Sequence, residues 1–166
     1  MSELRQDPTT REWVIIAPER AKRPQHMPKR KPASELPDWD ESCPFCPGNE
    51  SQTPPEVLRL PPSSQDPDWE VRVVPNQFPA LRLNGSVTGR EGGHLFHKMG
   101  GVGVHEVIIE TPSHNLPMAL MTYEQVEKVL IAYQQRYKDL KKNHQLKFIT
   151  IFKNYGWASG TSLEHP

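Results

Sequence analysis

This chain of 166 residues carries no excess of charge, no long apolar run and only two cysteines. Its 20 basic and 20 acidic side chains cancel, so no global field recruits nucleic acid or an anionic membrane. No stretch approaches the roughly 18 apolar residues that a membrane span needs. The start, Met1-Ser2-Glu3-Leu4-Arg5, is followed by no apolar core of a signal peptide, so a cytoplasmic location is expected. Apolar residues make up only 35%, and the 18 prolines are well above the usual share. The expectation is a modest core wrapped by long irregular segments. A chain of this size holds one domain more readily than two. No internal repeat is visible.

Between the prolines lie short apolar segments. Residues 11–17 (Arg-Glu-Trp-Val-Ile-Ile-Ala) read as a short buried strand, stopped by Pro18. Residues 69–74 (Trp-Glu-Val-Arg-Val-Val) alternate apolar and charged residues and read as a strand ending at Pro75. Asn76-Gln77-Phe78-Pro79 is then a turn at a strand's end, a usual place for ligand contacts. Residues 84–103 hold seven glycines and read as a mobile loop. Residues 104–110 and 146–152 read as two further strands. Thr122 with Gln125 forms a capping box, and Val126, Val129, Leu130, Tyr133, Tyr137 and Leu140 recur at helical spacing. One long amphipathic helix, about 122–142, follows. The fold class is therefore α+β, with a mainly antiparallel sheet and long Pro/Gly-rich loops.

Three stretches carry chemistry. Arg20, Lys22, Arg23, Lys29, Arg30 and Lys31 form a basic segment, broken by Pro24 and Pro28, that reads either as a solvated, flexible arm or, at Arg20 and Arg23 near a strand's end, as groups that meet phosphates. Residues 154–166 loosen through Gly156 and Gly160 with Ser159, Thr161 and Ser162, a small-residue loop whose bare N–H groups suit an anion. Cys43-Pro-Phe-Cys46, followed by Pro47-Gly48, can aim two sulfurs at one point. Zinc takes about four thiolate or imidazole ligands in a tetrahedron, so two more must come from afar. Of the seven histidines, His26 and His144 sit in charged, exposed stretches, and His94 and His97 in the glycine-rich segment. His105 lies within a strand, where it can simply be half-buried. His114 and His165 each follow a strand by a few residues, which gives a Cys2His2 set of Cys43, Cys46, His114 and His165. A zinc finger is excluded because the second pair is not a local His pair on a helix. A thioredoxin-like redox motif needs a βαβ pattern, and proline-rich flanks stand there instead.

Several blocks in order resemble the N-terminal half of the galactose-1-phosphate uridylyltransferase family, in the histidine-triad-like superfamily. They are Trp13-Val-Ile-Ile-Ala-Pro18-Glu-Arg20-Ala-Lys-Arg23-Pro24, Cys43-Pro-Phe-Cys46-Pro-Gly-Asn49, Val74-Pro-Asn76-Gln-Phe-Pro-Ala-Leu81, Gly103-Val-His-Glu-Val-Ile-Ile-Glu-Thr-Pro-Ser-His114, Phe152-Lys-Asn154-Tyr-Gly156 and Gly160-Thr-Ser162-Leu-Glu-His165-Pro166. The resemblance implies zinc at Cys43, Cys46, His114 and His165. It implies nucleotide-sugar contacts from Asn76, Gln77, Asn154, Gly160, Thr161 and Ser162. Arg20 and Arg23 would reach the nucleotide of the partner subunit in a homodimer.

The implied chemistry is ping-pong transfer of UMP from UDP-glucose to a hexose 1-phosphate through a covalently modified histidine, in galactose metabolism. The nucleophile belongs to a His-Pro-His-x-Gln pattern, of which His165 and Pro166 are present, so it is expected directly after Pro166. The chain is accordingly expected to be a single N-terminal domain, 1–166, of a longer enzyme, with no catalytic residue of its own and inactive alone. An adenine-nucleotide relative, such as an ADP-sugar or dinucleotide phosphorylase, would use the same phosphate loop. A non-catalytic, zinc-stabilised nucleotide-binding module is the reading from another class.

Overall fold

Short strands form where β-branched and aromatic residues cluster between prolines and glycines. The computed structural model describes residues 2–23, 35–62, 68–85, 87, 95–155, 159, 161 and 163–166. The strands are β1 (Glu3–Gln6), β2 (Trp13–Ile16), β3 (Leu58–Leu60), β4 (Val71–Pro75), β5 (His97–Gly100) and β6 (Glu106–Ile109), and the helix is α1 (Tyr123–Leu140). They belong to two compact units, Met1–Arg23 with Asn76–Glu106, and Pro24–Pro75 with Val107–Pro166. Two small sheets with antiparallel ladders and one long helix make the α+β class expected from the sequence.

The first unit carries the sheet β2-β1-β5, with both ladders antiparallel. The β1–β2 connection is held by Asp7, whose carboxylate accepts the N–H groups of Thr9 at 2.7 Å and Thr10 at 3.1 Å. Two expectations are corrected here. β2 lies at a sheet edge, and its Val14 and Ile15 are 48% and 46% exposed, so the strand forms without being buried. The segment read as a mobile loop contains β5, which pairs with β1 through Leu4 opposite Met99. A partner some ninety residues away in sequence overrides the local glycine content. Residues 88–94 of that segment, with His94, lie outside the described residues. Gly103 allows a close approach, since a Cβ there would stand 2.8 Å from the Leu81 side chain.

The second unit carries the sheet β3-β4-β6. Alternation along β4 and β6 sends successive side chains to opposite faces. On one face Leu60, Val71 and Val73 pack with Ile108 against Val129 and Ala132 of α1. On the other, Trp69, Val74 and Ile109 pack with Phe45, the residue between the two cysteines. The charged side of β4 is covered as well. Arg72 is only 2% exposed, donates from Nε to Glu56 at 2.7 Å and lies over the Trp69 ring at 5.4 Å.

The helix begins as expected, with the Thr122 hydroxyl accepting the Gln125 N–H at 3.2 Å. The Gln125 side chain does not return to the cap. It donates to the carbonyls of Glu70 at 3.0 Å and Glu110 at 2.6 Å, tying the helix start to the sheet. The apolar stripe is only partly core: Val129 and Ala132 are fully buried, whereas Leu130 and Tyr137 are 56% and 43% exposed. Small Ala132 lets the helix sit close to β3 and β4, which centres the buried arc on it. The strand expected at 146–152 does not form. That segment pairs in no ladder among the described residues, and Phe148 is 86% exposed. High β-propensity makes a strand only where a neighbouring edge accepts it.

Candidate metal centre and nucleotide-contact turn

The cysteine knuckle is built by a chain of backbone turns. Cys43 N–H donates to Asp40 O, Cys46 N–H to Cys43 O and Asn49 N–H to Cys46 O, at 3.1, 3.2 and 3.1 Å. Asn49 locks the loop, its amide nitrogen lying 2.8 Å from Cys43 O and 3.1 Å from Glu41 O. Gly48 supplies a φ of +88°, which only glycine adopts at low cost. Phe45 anchors the knuckle to the sheet face opposite α1.

His114 and His165 reach the same point from distant parts of the second unit. His114 follows β6 and is held by its N–H, which donates to Asp38 O at 2.8 Å. Its Nδ1 stands 3.3 Å from Cys46 Sγ. His165 Nδ1 stands 3.7 Å from both sulfurs, while its Nε2–H donates to Thr111 O at 2.8 Å. That bond fixes the tautomer and turns Nδ1 inward, the arrangement by which metal-bound histidines are usually oriented. All four residues are buried, and their ligand atoms lie within 4.8 Å of one another.

The spacing fits a metal. Tetrahedral zinc with about 2.3 Å to sulfur and 2.0–2.1 Å to nitrogen requires sulfur–nitrogen distances of about 3.6 Å. The observed 3.3 and 3.7 Å bracket that value. The electrostatics agree. Burial pushes the Cys43 thiol up to about 12 and the His165 imidazole down to about 4, so burial by itself favours neutral side chains. Burial also raises the Cys46 thiol. A divalent cation reverses this preference by displacing the thiol protons. His114 Nε2 is buried with no hydrogen-bond partner among the described residues.

A second constellation lies in the first unit. Arg20 donates from Nη1 to Phe78 O at 2.7 Å, and Asn76 Oδ1 accepts the Phe78 N–H at 2.8 Å. Gln77 beside them is exposed. Arg23 is half-buried, and burial with the nearby Arg20 charge lowers its pKa from the ordinary value. His105, left without a role by the sequence, stands just before β6 and accepts the Ala80 N–H on Nδ1 at 3.0 Å. Its signal was present only as a histidine flanked by the strand pattern. Of the remaining expected contacts, Asn154 is exposed and Thr161 half-buried in the second unit, while Gly160 and Ser162 lie outside the described residues. Lys29, Arg30, Lys31 and His26 lie outside them too. Lys153, next to Asn154, pairs with the buried carboxylate of Glu110, which also accepts the Tyr133 hydroxyl at 2.7 Å.

The family model for the galactose-1-phosphate uridyl transferase N-terminal domain matches residues 1–166. The chain belongs to this family. An ADP-glucose phosphorylase of Arabidopsis thaliana is 38% identical over 98% of the chain and 46% of its own length. A galactose-1-phosphate uridylyltransferase of Thermotoga maritima is 32% identical over 100% of the chain and 45% of its own length. The crystal structure of the Arabidopsis thaliana ADP-glucose phosphorylase with bound ADP-glucose superposes with a TM-score of 0.65 at 34% identity, over 99% of this chain and 46% of that one. The chain thus spans about half the length of the family members it matches. The described helices include none long and apolar enough to cross a membrane.

Proposed function

We propose that the chain is the zinc-bearing, nucleotide-sugar-binding half of a cytoplasmic nucleotidyl-transfer enzyme. Membership of the family over the whole chain carries this reading, and the buried Cys2His2 cluster supports it. Cys43, Cys46, His114 and His165 would hold zinc. With four protein ligands such a site is closed, so the ion supplies structure rather than an activated water. Its anchoring of His165 would set the course of the last residues of the chain.

Asn76, Gln77, Asn154, Gly160, Thr161 and Ser162 would make nucleotide-sugar contacts, and Arg20 and Arg23 would reach the nucleotide of the partner subunit. Positive charge and bare N–H groups would stabilise phosphoryl oxygens as charge shifts among them. In the uridylyl reading the substrates are UDP-glucose and a hexose 1-phosphate, the setting is galactose metabolism, and UMP passes through a histidine in a ping-pong cycle within a homodimer. The adenine reading draws on a specific observation: the ADP-glucose phosphorylase is 38% identical, against 32% for the Thermotoga maritima uridylyltransferase.

Titration calorimetry of the zinc-loaded chain with UDP-glucose and ADP-glucose separates the two. A preference of tenfold or more assigns the base, and binding of neither sinks the nucleotide-sugar reading.

A further inference from the structure

His105 is the polar residue most fully engaged with the turn at Asn76, and nothing in the chemistry above uses it. Its backbone carbonyl accepts the Asn76 N–H at 2.8 Å. Its ring Nδ1 accepts the Ala80 N–H at 3.0 Å. A backbone N–H only donates, so Nδ1 is the bare nitrogen and a neutral ring carries its proton on Nε2. Burial, and then the charges of Arg20 and Arg23, lower the affinity of this ring for a second proton and keep it neutral.

The other side of the ring makes an unusual contact. Nε2 lies 3.2 Å from the Asn76 amide nitrogen, while the oxygen of that amide accepts the Phe78 N–H at 2.8 Å. Two donors therefore face each other, and no hydrogen bond joins them. A half-turn of the amide would give its oxygen to His105 and set its nitrogen against the Phe78 N–H. Asn76 cannot satisfy both neighbours in either orientation. One donor is always left over, and a half-buried donor without a partner raises the gain from any acceptor that arrives. Arg20, bonded to Phe78 O, adds positive charge to the same turn.

We propose that His105 is a positioning residue for the bound nucleotide sugar: it pins the 76–80 turn through Ala80 and leaves the Asn76 amide donor waiting for a ligand oxygen. This rests on the reading of Asn76 as a nucleotide contact.

The test compares wild type, His105→Ala, His105→Asn and Asn76→Ala as full, zinc-loaded chains. The readouts are calorimetric affinity for UDP-glucose and ADP-glucose well below the melting temperature, and the 15N spectrum of the His105 ring. We expect His105→Ala to bind roughly tenfold more weakly, about 1.4 kcal/mol. His105→Asn should recover part of the loss, because its Oδ1 sits as many bonds from the backbone as Nδ1 and can accept the Ala80 N–H. A merely structural role would lower the melting temperature of both variants and leave affinity unchanged. The ring should show its proton on Nε2. An affinity of His105→Ala within twofold of wild type, or a proton on Nδ1, overturns the proposal. If wild type binds and Asn76→Ala binds equally well, the contact reading fails and the proposal with it. If wild type binds neither sugar, the nucleotide-sugar reading fails, and ring tautomer alone then decides whether His105 pins the turn.

Discussion

Removing metal should soften this protein sharply, and the size of the effect follows from the site. Cys43, Cys46, His114 and His165 are all buried, and they join three segments of the second unit that are distant in sequence. A ligand that binds only the folded state stabilises it by about 4 kcal/mol when free at about a thousandfold over its dissociation constant. For a chain of this length each kcal/mol is worth roughly 2–4 °C in melting temperature, so stripping the metal should lower it by roughly 8–16 °C. The assay is thermal unfolding of protein as purified, after exhaustive chelation, and after adding back zinc, with metal content measured on each sample. One equivalent of zinc per chain is expected at the start. His114→Ala supplies the control, because deleting a buried imidazole destabilises on packing grounds alone. The metal-specific part is the difference between chelated and loaded samples, and in the variant that difference should vanish. A chelated wild type that melts with the loaded one, or His114→Ala that keeps its full zinc, would refute the assignment of these four ligands.

Ile109 is 1% exposed and packs with Trp69, Val74 and Phe45, so Ile109→Ala should cost about 2–5 kcal/mol in denaturant unfolding and loosen the knuckle through Phe45. Thr122→Ala removes the acceptor for the Gln125 N–H and should cost about 1 kcal/mol by the same assay. Burial raises the Glu56 pKa, but hydrogen bonds from Arg59 and Arg72 outweigh it and hold the carboxyl below its ordinary value. That stabilisation is complete above the unfolded-state value, is lost as pH falls through the folded one, and should disappear from the stability–pH curve in Glu56→Gln.

The legible parts of the sequence were those whose signal is local or whose chemistry is stringent. The helix was readable because Thr122 caps it and its apolar spacing repeats, and the four candidate ligands because few residue types hold zinc. The misreadings share one cause, that a strand is a relation between two segments. Leu146–Phe152 has the composition of a strand without a ladder among the described residues, and His97–Gly100 has a partner in β1 without the composition. Nothing in Val14 or Ile15 records that β2 is an edge. His105 was missed because its role lies in two hydrogen bonds to a turn some 25 residues earlier.

The sheet of the second unit explains why buried Arg72 and the candidate metal site stand on the same side. Val71, Val73 and Ile108 give one face to α1, a helix that satisfies its own backbone and meets buried Glu110 through the Tyr133 hydroxyl. The opposite face, with Trp69, Val74 and Ile109, is covered by irregular chain rather than by an element. Irregular chain has backbone groups to satisfy and little apolar surface to bury, so it must be fixed by other means. Phe45 contributes the apolar contact, Asn49 ties the carbonyls of the knuckle, and Glu56, just before β3, pairs with Arg59 and Arg72. A four-ligand metal is the same solution in a stronger form, since it joins loops that share no ladder. On this reasoning the metal and the Glu56 cluster are separate fastenings of one irregular layer. Losing either should raise amide exchange across residues 38–57 while leaving the protection of α1 nearly unchanged.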